Sequence, residues 1–390
     1  MSDGRPIYLD HNATTPLDPT VFEAMRPYFL EHFGNPSSVE HIYGLTAATA
    51  VERAREQVAR AINADAGEIV FTGSCTEADN LAILGVARAA KASGHFITSQ
   101  IEHPAVLEAF RQLEKEGHAV TYLPVDEVAQ IRLEELEAAF RPNTLMVSIM
   151  GGNNEVGTLQ PLADIGRLCA SKGALFHSDL AQLPAYVAID VKKMGLHLAS
   201  FSAHKAYGPK GVGALYVGRQ RPRIKLEPLL WGGGHERSLR PGTLNTPMIV
   251  GMGESMELAN RRLAKTIGLV TTNREKLRDR LLTSVDGIEL NGHPTNRLPS
   301  NLSLSIDGVE PLALMRLLRN EIAFSASSAC STHEVKTSHV LLAMFGDVAR
   351  ARGAFRLSPG RFTTGTEVET AAEAITAGVS RLRAAKHSLL

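Results

Sequence analysis

Cysteine is scarce in this chain: Cys75, Cys169 and Cys330 are the three among 390 residues, and no two form a CxxC pair. That argues against a disulfide framework and against a zinc centre built from cysteine, and it points to a reducing compartment. Charge of one sign is lacking too, since 41 Lys and Arg balance 41 Asp and Glu. A basic footprint for nucleic acid spread over the whole surface is therefore not expected. No apolar run reaches the roughly 20 residues that span a bilayer. The first residues, Met1 to Pro6, carry charges where a secretory signal needs an apolar core. The chain thus reads as cytoplasmic, with neither membrane nor nucleic acid as a direct partner. What is present, 44% hydrophobic and 21% charged residues, is the balance of a folded enzyme. The length suggests two domains rather than one core.

Short apolar runs alternate with amphipathic stretches from about residue 45 to residue 220. Glu68–Thr72, His95–Thr98, Ala119–Leu123, Thr144–Ile149 and Ala174–His177 read as buried strands. Between them, Glu77–Ala92, Ala105–Glu116, Leu133–Phe140 and Leu162–Lys172 carry apolar residues at three- and four-residue spacing. Such alternation implies a mostly parallel sheet covered on both faces. Leu198–Ser202 and Gly213–Val217 follow each other closely, so the sheet is expected to end in antiparallel strands. The glycines at 232–234 and the Pro241-Gly242 pair interrupt the pattern, and one long helix is expected over residues 249–284. Strand signals at 301–305 and 355–358, with helices near 311–319 and 367–385, describe a small α+β domain. The first 20 or so residues, rich in Asp, Thr and Pro, are expected to return and pack on it.

Three strand ends carry residues suited to chemistry. In Ser200 to Gly211, Lys205 follows a strand and stands beside His204. A lysine with a lowered pKa can form a Schiff base with a cofactor carbonyl, although taken alone its plainer reading is a surface cation on a turn. In Phe71 to Leu81, a Gly-Ser-Cys-Thr turn opens a helix, and Ser74 with Glu77 fits a capping box. Free amides at a helix start suit phosphate, but a simple cap is the plainer alternative. Asp179 closes another strand, where a carboxylate can hold a protonated ring nitrogen or merely cap a turn. His103 and Asn154 stand past further strands. The succession of phosphate turn, flat ring, amide, carboxylate and lysine is what a pyridoxal phosphate site requires.

These motifs resemble those of the cysteine desulfurases of the NifS/IscS type, within the class V aminotransferase group of pyridoxal phosphate enzymes of fold type I. The likeness runs nearly end to end, through Tyr8–Pro16, Gly34–Ser38, Thr72–Asn80, Glu102-His103, Asn153–Gly157, His177–Gln182, Ser202–Gly211, Gly232–Arg237, Ser325–Ser331 and Arg356–Thr364. The resemblance implies an α/β fold with a large, mainly parallel seven-stranded sheet and a smaller α+β domain. It implies an N-terminal segment over 1–20, a large cofactor-binding domain over 21–257 and a small domain over 258–390 that carries the cysteine loop.

It further implies that Lys205 is the lysine joined to pyridoxal 5'-phosphate, that Asp179 pairs with the ring nitrogen, that His103 stacks on the ring and that Gln182 meets the ring hydroxyl. Cys75, Thr76, Ser202 and His204 belong to the phosphate side. Asn154 touches cofactor and substrate carboxylate, and Arg356 clamps that carboxylate. Thr243 would reach the phosphate held by a second copy, so a homodimer is implied. By the same resemblance Cys330, in a run of small residues, would be the nucleophile that takes sulfur from L-cysteine as a persulfide, leaving L-alanine. Its chemistry needs the thiolate, and Cys169, placed within a helix, suits a structural role better. The sulfur would pass to an acceptor protein, such as an iron–sulfur cluster scaffold or a member of another thio-modification pathway. No resident metal is read from spacing, although the likeness allows an iron–sulfur cluster held at Cys330 during transfer. A selenocysteine lyase or an aminotransferase of the same fold is the alternative.

Three positions depart from the family's usual residues. Gly73-Ser74-Cys75 replaces the common Ser-Gly-Ala, so any positive φ would fall on Ser74 with a strain of about 1 kcal/mol or more. Gly151-Gly152 replaces bulkier residues and is expected to loosen that strand end. Leu180-Ala181 stands where the family commonly has Ala-Thr or Ala-Val.

Overall fold

The computed structural model describes residues 5–90, 92–220, 222–326 and 337–387. Eight strands lie in the first part of the chain: β1 (Ile7–Tyr8), β2 (Ile69–Thr72), β3 (His95–Ser99), β4 (Ala119–Leu123), β5 (Thr144–Ser148), β6 (Leu175–Asp179), β7 (Leu198–Ser202) and β8 (Gly213–Val217). Seven of them form one sheet in the order β2-β8-β7-β6-β5-β3-β4. The strands from β7 to β4 run parallel, and β8 is antiparallel to both its neighbours, β2 and β7.

Burial explains why the runs are continuous rather than alternating. Every residue of β2, β3, β6 apart from Leu175, and β7 is buried, because helices cover both faces. On one face Phe71, Ile97, Val147, Phe176 and Phe201 share a core with the helices Ile42–Ala61 and Thr246–Arg261. On the other, Val70, Phe96, Met146, Leu198 and Leu215 pack with the helices Cys75–Ala89 and Pro104–Lys115. A fully buried Phe or Leu contributes about 1.5–3 kcal/mol, so this double layer is the main source of the sheet's rigidity. Gly253 lets the helices Ile42–Ala61 and Thr246–Arg261 close up, since a Cβ there would lie 2.6 Å from Ala54 Cα.

The expected single helix over 249–284 is two. Thr246–Arg261 and Leu263–Ser284 are separated at Arg262 (φ −99°, ψ 4°). The first packs on Ile42–Ala61 and the second on the C-terminal helix Gly365–His387. Beyond them come β9 (Ile288–Asn291), β10 (Leu302–Ile306), β11 (Ile322–Ala323), β12 (Ser325–Ala326) and β13 (Ala354–Leu357). An antiparallel sheet of order β12-β13-β10-β9 covers its own core of Leu304, Phe324, Phe355, Leu357 and Ile375. The N-terminal strand β1 pairs in parallel with β11, and Leu9 is buried in this same core. The next residues cross to the large sheet, where the Thr15 amide donates to the His204 carbonyl. No helix among the described residues is long and apolar enough to cross a membrane.

Candidate active site

Parallel strands put all their carboxyl ends on one edge, and there the chain builds its cavity. It measures about 440 Å3 and is lined by residues that follow β2, β3, β5, β6 and β7, together with Asn12, Ala13 and Arg356 of β13. Of the residues singled out in sequence, Cys75, Thr76, His103, Asn154, Asp179, Ser202, His204, Lys205 and Arg356 all line it.

The turn after β2 is a helix start. The Ser74 side chain accepts from the Glu77 amide at 3.1 Å. The Glu77 carboxylate does not close the box on Ser74 but reaches the Gly73 amide at 2.7 Å and Arg240 at 3.0 Å. Ser74 has φ −170°, which is extended backbone, so the strain expected from the shifted glycine does not arise. The first amides of the helix Cys75–Ala89 lie outside its own hydrogen-bond ladder and meet an anion favourably.

His103 caps the helix Pro104–Lys115, its Nδ1 accepting from the Ala105 amide at 3.2 Å. That fixes the proton of the neutral ring on Nε2. Burial, then the Lys205 charge, lowers the His103 pKa, so the neutral form prevails. His204, bonded to Thr14 through Nδ1 at 3.0 Å, is lowered to about 4 by burial, Lys205 and Lys210. Lys205 ends the 3-10 turn after β7, and its side chain makes no hydrogen bond or ion pair with another described residue. Asp179 Oδ1 accepts from the Ala181 amide at 2.9 Å and from Cys75 Sγ at 3.5 Å. Arg356 donates to the Asn154 carbonyl and to Asp10 Oδ1, each at 2.7 Å, while its Nε is buried without a partner.

Two expected residues stand apart. Gln182 does not line the cavity: its amide donates to the Asn12 carbonyl and accepts from the Asn12 side chain, both at 3.0 Å. Thr243 is exposed and outside the cavity. Cys330 lies outside the described residues. Residues not singled out by their chemistry in sequence also enter the lining, namely Asn12, Asp79 and Lys210. The Asn12 amide donates to Ser358 Oγ at 3.0 Å, 346 positions away in sequence, a contact no local pattern announces.

Gly151 and Gly152 do not loosen their strand end. They are buried, and a Cβ at Gly151 would come within 2.6 Å of Leu180 Cδ2 and 2.9 Å of Leu183 Cδ2. The bulk missing at 151 is restored by Leu180. As a donor set, a helix start, hydroxyls, a carboxylate, a neutral imidazole, a free lysine and an unsatisfied arginine suit a small ligand with a phosphate, a flat nitrogen ring and an electrophilic carbon.

A family model described as "Aminotransferase class-V" matches residues 7–370. A "Cysteine desulfurase IscS" of Pseudomonas aeruginosa (strain LESB58) is 47% identical over 384 residues, covering 97% of this chain and 94% of that protein. Among solved structures, a "NIFS-LIKE PROTEIN" superposes with a TM-score of 0.90 at 38% identity, covering 96% of this chain and 99% of the other. A structure titled "SspA in complex with cysteine" gives 0.81 at 36% identity, with 92% and 100% covered. With family match, relatives and fold in agreement over nearly its whole length, the chain belongs to the class-V aminotransferase family, among proteins of the cysteine desulfurase type.

Proposed function

We propose that the chain is a pyridoxal phosphate-dependent cysteine desulfurase. The observation that carries this reading is the single cavity in which Lys205, Asp179, His103 and Arg356 converge at the strand ends. Lys205 would join the cofactor, Asp179 would hold its ring nitrogen and His103 its face. Cys75, Thr76, Ser202 and His204 would surround the phosphate, with Thr243 of a second copy completing it. Gln182, tied to Asn12, supports the ring side through that asparagine rather than by lining the cavity. When bound, the cofactor supplies an electron-withdrawing ring that stabilises negative charge at the substrate α-carbon.

The chain's own groups supply the rest. Arg356 is held by Asp10 and the Asn154 carbonyl with Nε left over, a fixed guanidinium for the substrate carboxylate beside Asn154. Lys205 carries the proton at the α-carbon. His103, neutral with its proton on Nε2, serves the substrate sulfur as acid or base. Ser325 pairs with Arg356 across β12 and β13, and Cys330 follows Ala326 by four residues, a reach of at most about 14 Å. In the overall reaction the Cys330 thiol and L-cysteine become the Cys330 persulfide and L-alanine: one S–S bond forms, one C–S bond breaks, and the carbon takes the proton. The persulfide is then passed to an acceptor protein, as in iron–sulfur cluster assembly. The three-part division at residues 20 and 257 is kept with this reading, as is a cytoplasmic homodimer.

The test is Cys330→Ala. The reconstituted variant should keep the visible absorbance of the bound cofactor yet form no alanine from L-cysteine. Undiminished alanine formation, with or without added thiol, would remove Cys330 from the reaction.

A further inference from the structure

On the ring side of the cavity Asp179 is grouped with two further lining side chains, Cys75 and Asp79, whose contact with it the desulfurase reading leaves unexplained. Cys75, the first residue of the helix Cys75–Ala89, and Asp79, one turn on, face Asp179 at the end of β6. The Cys75 sulfur and one carboxylate oxygen from each aspartate all lie within 4.8 Å of one another. Asp79 is 1% exposed and neither of its oxygens has a hydrogen-bond partner. Its neighbours are Asp179 and His177 from β6, with His177 Nε2 at 3.7 Å, Ser200 from β7, Lys205 from the following turn, Glu102 from the turn after β3, and Cys75 from its own helix. The Cys75 thiol reaches Asp179 Oδ1 at 3.5 Å.

We propose that Cys75 and Asp79 are positioning residues for Asp179, which together set the negative charge that this aspartate presents to the cavity. The proposal rests on the reading of Asp179 as the partner of a ring nitrogen and adds to it. Two carboxylates this close in a buried site do not both ionise. Burial first, and then Asp179, pushes the Asp79 carboxyl well above the ordinary range, so Asp79 keeps its proton and Asp179 carries the charge. Burial, followed by the Asp179 charge, likewise raises the Cys75 thiol well above its usual pKa. A thiol so held is a hydrogen-bond donor, not a nucleophile. With the Ala181 amide it engages Asp179 Oδ1, so that this oxygen of the carboxylate is held in place from the protein side. Cys75 thereby acts in the opposite sense from Cys330: it is kept as S–H so that a carboxylate can stay charged.

Two measurements test this on the full-length chain. In cofactor-free protein, alkylation of Cys75 by iodoacetamide, mapped by mass spectrometry, should be slow at about pH 8. Asp179→Asn, which removes the charge facing the thiol, should speed it by about 10-fold or more, one pKa unit, whereas Asp79→Asn, neutral for neutral, should leave the rate as in wild type. A wild-type rate in Asp179→Asn, or a comparable acceleration in Asp79→Asn, would overturn this division of charge, and this arm needs no cofactor. In protein loaded with pyridoxal phosphate, the pH midpoint of the visible absorption band should move in Cys75→Ala and return toward wild type in Cys75→Ser, which keeps a donor. A midpoint unmoved by Cys75→Ala, or moved equally by both substitutions, would overturn the positioning role. Wild-type protein that gains no visible band at all would instead refute the cofactor reading, so the two failures are told apart.

Discussion

Glu102 is the side chain whose burial has the clearest consequence for pH. It is fully buried, its Oε1 accepts from Ser99 at 2.6 Å and from the Met150 amide at 3.0 Å, and its Oε2 has no partner. Burial raises its pKa to about 8, with the Ser99 and Met150 bonds opposing and Asp179 adding to the rise. A carboxyl whose pKa is higher folded than unfolded binds more protons in the native state. Stability is therefore lost progressively as pH climbs from the ordinary carboxylate range through about 8. Glu102→Gln keeps an acceptor for Ser99 and Met150 and cannot ionise. The variant should gain stability relative to wild type between about pH 6 and about pH 9 in denaturant titrations. A wild-type-to-variant difference that is flat over that interval would show that Glu102 is not held protonated. This residue also marks a limit of reading by sequence. The pair Glu102-His103 belongs to a motif, and His103 was legible as a flat ring beside a strand end. The buried carboxyl next to it was not, because its environment comes from β5 and the Met150 amide, 48 residues away in sequence.

The strands were legible because a parallel sheet covered on both faces writes each strand as a short apolar run. Phe71, Phe176 and Phe201 sit where those runs placed them. The break at Arg262 was not legible, since Thr246–Arg261 and Leu263–Ser284 share one unbroken helical pattern and part only because each packs on a different layer. Nor was the use of Glu236. The glycine cluster reads as an interruption, yet Glu236 at φ 47° forms a two-pronged pair with Arg55 at 2.7 and 2.8 Å and accepts the Phe71 amide at 2.7 Å. Its backbone strain is held by contacts that only the fold creates. The same holds for Gly151 and Leu180, two departures from the family's usual residues that are one packing solution. Gly151→Ala should cost about 1–3 kcal/mol through overpacking against Leu180 and Leu183. Measured in a Leu180→Ala background, that cost should fall by about 1 kcal/mol or more, the sign of coupled neighbours. Strict additivity in urea unfolding would mean that the two positions changed independently.

The largest unexplained feature of the isolated chain is apolar surface. Leu30 is 71% exposed, Phe33 68%, Ile42 70% and Trp231 79%, and the rings of Phe33 and Tyr43 stack on each other at 5.6 Å. The segments belong together, because His235 Nε2 lies 3.1 Å from Ser37 Oγ and so ties the glycine cluster after Trp231 to the loop after Phe33. An aromatic side chain buries about 150–250 Å2 when covered, and a specific interface needs about 800 Å2 on each side. Three aromatics with Leu30 and Ile42 thus supply much of one interface, and exposure of this extent is costly to leave uncovered. Thr243 follows the same glycine cluster and is exposed outside its own chain's cavity, which suits a residue that serves a second copy. The expected assembly is a homodimer joined through this face. Wild-type protein should sediment at twice the 42.0 kDa of the chain. Phe33→Glu combined with Ile42→Glu places two charges where the partner's apolar surface would meet them, and burial of unpaired carboxylates is strongly unfavourable. That variant should sediment as a monomer with its far-ultraviolet helical signal intact, since both side chains are exposed and support no core. If Thr243 of a second copy serves the phosphate as proposed, the variant should also bind pyridoxal phosphate more weakly. A wild-type chain that remains monomeric at micromolar concentration, or a double variant that still dimerises, would place the interface elsewhere.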